Sequence, residues 1–73
     1  MTWVLPVLHQ ARVIDERDEL DKKLLRLNAF LASESYRHVP SQIQDLLLEQ
    51  ADAMGLYLVA LDKRIALFSR EPA

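Results

Sequence analysis

Apolar residues recur along two stretches of the chain at helical spacing. In the first, Val13, Leu20, Leu24, Leu27 and Leu31 are separated by three, four or seven residues, so they fall on one stripe of an α-helix. In the second, Leu47, Ala51, Met54, Leu58, Leu61, Ile65 and Phe68 alternate spacings of four and three, a heptad-like seam. The polar stretch 33–40 between them is short, which predicts that the flanking helices are antiparallel neighbours. The pattern therefore predicts an all-α fold, an antiparallel two-helix hairpin within a single domain spanning residues 1–73. Its expected parts are an N-terminal arm (1–7), helix 1 (8–32), a loop (33–40) and helix 2 (41–69). At roughly 1.5 Å per residue each helix is about 40 Å long. Pro6 fits a first helical turn, where its missing N–H does no harm. Ser41 followed by Gln44 reads as a capping box, and Tyr36 and Val39 as the anchors of the loop.

The same pattern leaves apolar residues over. Leu46, Leu48, Leu56, Tyr57 and Val59 lie outside the second seam, so helix 2 is apolar over more of its circumference than one partner helix covers. A 73-residue chain without cysteine also has no disulfide or thiolate staple for a small core. Both points predict that copies of the chain assemble. Trp3, Val4 and Leu5 are expected to pack on the chain or on a neighbour. Gly55, mid-helix at a cost of about 1 kcal/mol against Ala, either permits a close helix crossing or is a tolerated flaw.

Composition narrows the function. Hydrophobic residues make up 51% and charged residues 27%, which is globular. A net charge of −2 counts against a duplex nucleic acid partner, which needs a strongly basic face. Six of the nine Lys and Arg residues nevertheless lie between Arg12 and Arg37, so local positive pockets can form. No apolar run approaches the roughly 20 residues of a membrane span. Residues 1–8 lack a basic start and a cleavage site, so no signal peptide is read there and a cytoplasmic location is expected. No catalytic constellation, nucleophile elbow or glycine-rich phosphate loop is present in the sequence, so the chain is not read as an enzyme and no cofactor is implied. His9 and His38 have no ligand-spaced partner, and no metal site is expected.

A charged row, Arg12, Glu16, Glu19, Lys23 and Arg26, runs beside the first seam. Glu19 and Lys23 are an i,i+4 pair expected to support the helix, whereas Lys22 and Arg26 are a like-charge pair of small cost. The candidate cations for an anionic ligand are Arg12, Lys23, Arg26 and Arg64. An antiparallel arrangement brings Arg64 toward Arg12 and His9, and Tyr57, His9 and Trp3 offer flat faces for a base. Read residue by residue, the same groups equally describe a solvated face and core aromatics.

Taken in order, these positions resemble a known family. Arg12, Val13, Glu16, Glu19, Leu20, Lys23, Arg26, Leu27, Phe30 and Leu31 form one motif. Pro40, Gln44 and Leu47, then Gln50, Met54, Tyr57, Leu61, Arg64 and Ile65, form the second. The chain is similar over residues 9–68 to the small phage helical hairpins that include the anti-CBASS cyclic-nucleotide sponges, a hairpin also found within certain anti-Thoeris sponges. The resemblance implies a homohexamer that sequesters cyclic oligonucleotide second messengers in the host bacterial cytoplasm, without chemistry. It implies cyclic dinucleotides between paired protomers and cyclic trinucleotides where three protomers meet. By motif, Lys23 contacts a phosphate of a dinucleotide, with Arg12 and Arg26 as weaker candidates, and Arg64 belongs to the threefold pocket. The position where the family often has a stacking aromatic holds His9 here, which leaves stacking to a smaller imidazole face or to Trp3. The rival expectation is a plain helical scaffold with no nucleotide ligand.

Overall fold

The computed structural model describes residues 4–68, with side chains from residue 9 onward. All three elements are helical: α1 (Val4–Leu31), α2 (Glu34–Arg37) and α3 (Ser41–Phe68). α1 and α3 pack side by side in a rod of 54 × 15 × 14 Å. Contacts between them pair early residues of α1 with late residues of α3. Arg17 meets Asp62 at 2.8 Å and His9 meets Arg64 at 3.0 Å, so the two helices run in opposite directions.

Both expected stripes face this contact. In α1, Val13, Leu20, Leu24, Leu27 and Leu31 are buried or half-buried, and in α3 so are Leu47, Ala51, Met54, Leu58, Leu61, Ile65 and Phe68. Only Val13 (3% exposed) and Leu61 (0%) are fully enclosed among the described side chains. Two helices meeting along one seam leave nearly every side chain with solvent on at least one side.

Three local expectations need correction. Helix 1 was expected from residue 8, but α1 begins at Val4, within the stretch expected as an arm. Pro6 falls in its first turn, where a missing N–H removes no intrahelical bond, so the helix extends back through it. Trp3 and residues 69–73 lie outside the described residues.

The stretch 33–40 is not a plain loop, since it contains the single turn α2. The Ser33 hydroxyl donates to the Phe30 carbonyl at 2.6 Å and closes the end of α1. The rings of Phe30 and Tyr36 then meet edge to face, with centroids 6.1 Å apart. Tyr36 and Val39 are half-buried, as anchors of the connection.

Ser41 and Gln44 do not form the expected capping box. The Pro40 carbonyl accepts the first helical bonds, from the N–H groups of Ile43 (2.9 Å) and Gln44 (3.0 Å). The Gln44 side-chain amide instead donates to the carbonyls of Tyr36 (2.9 Å) and Val39 (3.0 Å), and the Tyr36 hydroxyl donates back to the Gln44 carbonyl at 3.2 Å. An amide nitrogen carries two donors, and the connection presents two carbonyls within its reach. Gln44 thus ties the turn to the start of α3.

Candidate functional site

The heptad spacing of the seams also orders their flanks. On α1 one flank is His9, Arg12, Glu16, Glu19, Lys23, Arg26 and Phe30, separated alternately by three and four residues. On α3 the corresponding flank is Ile43, Leu46, Gln50, Ala53, Tyr57, Ala60, Arg64 and Leu67. Two contacts join these flanks. The Arg64 guanidinium lies 3.0 Å from His9 Nε2, and the Tyr57 hydroxyl donates to the Glu16 carboxylate. His9 and Glu16 are seven residues apart, as are Tyr57 and Arg64, so the two contacts share one register. Continued by another seven residues, that register sets Lys23 level with Gln50.

All five candidate residues, His9, Arg12, Lys23, Arg26 and Arg64, therefore lie along one side of the helix pair, and all five are solvent-exposed. They form two groups. His9, Arg12 and Arg64 stand near one end of the rod. Lys23 and Arg26 stand farther along α1, Lys23 eleven residues from Arg12, or about 16 Å at the helical rise. Glu16 and Glu19 lie between the groups. The expected approach of Arg64 to His9 is present. Guanidinium has only donors, so a hydrogen bond at this contact needs Nε2 as its acceptor. His9 thus gives Arg64 a fixed neighbour. Tyr57 remains 45% exposed beside Glu16 and keeps a flat surface open along this side.

The expected Glu19–Lys23 ion pair does not form among the described residues, where every ion pair centres on Arg17. Arg17 approaches Asp18 at 3.5 Å, Asp21 at 3.7 Å and Asp62 at 2.8 Å. The hydrogen bond and charge of Asp62, followed by the charge of Asp21 and the bond to Asp18, raise the guanidinium pKa above its ordinary value against some desolvation. Arg17 occupies the seam position between Val13 and Leu20 and was missed in the sequence. The gap of seven between those two apolar residues was the available signal: a heptad seam has an occupant at that point, and here it is a cation that needs an acid across the interface.

A shallow open hollow lies between the long helices, lined by Leu24 and Asn28 of α1 and by Ala51, Asp52, Gly55, Leu56 and Val59 of α3. It lies on the side opposite the candidate cations. Nothing stands within 4 Å of where a Cβ on Gly55 would be. Within one chain, then, the cations line an open face and not an enclosed pocket. No group of three or more potential metal ligands occurs among the described residues, and no described helix is long and apolar enough to cross a membrane.

A model of the family described as Sequestin matches residues 8–67, a span that runs from just before His9 to just past Arg64. An uncharacterized 7.5 kDa protein from the denB-rIIB intergenic region of Enterobacteria phage T4 is 43% identical over 60 residues, which covers 82% of this chain and 94% of that protein. No solved structure matches the chain.

Proposed function

The chain belongs to the Sequestin family, and from that premise we propose that it is a phage protein that binds and sequesters cyclic oligonucleotide second messengers, and so blocks CBASS-type immunity in its bacterial host. The family's name points to sequestration, and the T4 relative supports a phage origin. The observation that carries the ligand class is the shared register of His9–Arg64 and Glu16–Tyr57, which aligns five candidate residues and a partly exposed tyrosine along one side of the helix pair.

Lys23, with Arg12 and Arg26, serves the phosphates of a cyclic dinucleotide between paired protomers. Arg64, steadied by His9, serves a cyclic trinucleotide where three protomers meet. Three guanidiniums gathered by symmetry would repel one another without an anion among them. Lys23 and Arg26 stand apart from Arg64 on one chain, which suits two kinds of pocket, each completed by another copy. Arg12, near Arg64 in its own chain, joins Lys23 only as the paired protomer's contribution. Completion by other copies is also what the surface favours. The chain exposes 5946 Å², whereas a compact monomer of its mass exposes about 4,600 Å². A homohexamer of hairpins covers that excess. Binding needs no catalytic group, only a cavity whose walls are already ordered, so that little entropy is lost on association.

The test is isothermal titration of the purified protein against a panel of cyclic di- and trinucleotides, with its mass in solution measured alongside. Tight binding at one ligand per two or three protomers is expected. An assembled protein that binds nothing in the panel would favour the second reading, a helical scaffold without a nucleotide ligand. That reading is supported by the exposed apolar row of α3.

A further inference from the structure

The side of the molecule away from the candidate cations has an organisation of its own. On α3 the outward row Glu49, Asp52, Leu56, Val59 and Lys63 repeats at alternating spacings of three and four. Its centre is apolar and open to solvent, with Leu56 at 73% exposure, the highest of the large exposed apolar residues, and Val59 at 49%. Its ends are charged and opposite in sign, with Glu49 and Asp52 toward the N-terminus and Lys63 toward the C-terminus. Among the described residues none of these three charges makes an ion pair within the chain. Beside the apolar centre lies the hollow over Gly55, with Leu24 and Asn28 of α1 on its far wall.

A row that is acidic, apolar and then basic is complementary to itself when reversed. Two copies of α3 laid antiparallel about a twofold axis bring opposite charges together at both ends and apolar residues together at the centre. Laid parallel, they set like charges against each other.

We propose that α3 packs antiparallel against α3 of a second copy through this row, about a twofold axis between Tyr57 and Leu58. In that register Leu56 faces the partner's Val59, and Val59 faces the partner's Leu56. Lys63 stands opposite the partner's Asp52, with the partner's Glu49 one turn away. The hollow over Gly55 receives the partner's Val59, an apolar knob entering a space that no side chain of its own chain fills. Gly55, which weakens an isolated helix, has its use in this approach of two helices. The contact is isologous, since each copy contributes the same patch. It leaves His9, Arg12, Lys23, Arg26 and Arg64 uncovered on the other side.

The inference rests on the proposal that copies of the chain assemble, and names one of the interfaces by which they do so. The experiment is the mass in solution by light scattering, with helicity by circular dichroism, for the full chain and three variants. Lys63→Glu sets acid against acid at both ends and is expected to halve the assembled mass. The double variant Asp52→Lys with Lys63→Glu restores opposite charges across the axis and is expected to return the wild-type mass. Gly55→Leu fills the hollow from within its own chain, where there is room for the side chain to start, and is also expected to halve the mass. A monomeric wild type would overturn the contact. So would a Lys63→Glu protein that is helical and keeps the wild-type mass, or a double variant no better assembled than the single one. Titration with cyclic nucleotides on the same samples keeps the two proposals apart, because mass reports the interface and heat of binding reports the ligand site.

Discussion

At the scale of single residues, the candidate cations differ in what surrounds them. Arg64 has a fixed neighbour in His9, whereas no described contact restrains Lys23. Lys23→Ala should therefore leave the fold and the assembly intact and weaken cyclic dinucleotide binding by about 10- to 100-fold, the loss of one charge-assisted bond. Thermal shift and solution mass check this together, and a collapsed assembly would make Lys23 structural. Arg64→Ala should remove trinucleotide binding selectively, and an equal loss of both ligand classes would count against two separate pockets. The candidate residues themselves were legible in the sequence, because charge type and spacing suffice to place them on one flank. Their partners were not. Arg17 with Asp62 and Glu16 with Tyr57 join residues more than 40 positions apart, and only the register of the helices decides such pairs.

At the scale of elements, the seams hold the pair of helices and Gln44 holds the turn. Leu61 is fully enclosed, so Leu61→Ala should destabilise the fold by about 2–5 kcal/mol in a denaturant titration followed by helicity. Gln44→Ala releases the carbonyls of Tyr36 and Val39 and should cost about 1–2 kcal/mol, with no change in ligand affinity. A Gln44→Ala protein as stable as wild type would mean that water satisfies those carbonyls equally well. The helix starts show how local signals mislead. Ser41 and Gln44 have the spacing of a capping box, yet Gln44 turns toward the connection because two carbonyls lie there. A stretch of eight polar and apolar residues read as loop still completes the turn α2 between the two long helices.

At the scale of the whole molecule, the rod is too thin to enclose its apolar residues. Leu25, Leu46, Leu56 and Leu67 remain more than half exposed. If their burial comes from other copies, folding and association are linked, and the melting temperature should rise with protein concentration. A melting temperature constant across a wide range of concentrations would argue for a chain that is stable alone. The residue order was enough for the helical content, the two seams and the surplus of apolar surface, because these depend on period and count and hold for any register. Only the tertiary packing decided which cation meets which acid, that His9 steadies Arg64, and that a hollow opens over Gly55. Sliding one helix along the other by a heptad presents another apolar seam to the same neighbour, but it exchanges every partner on the flanks.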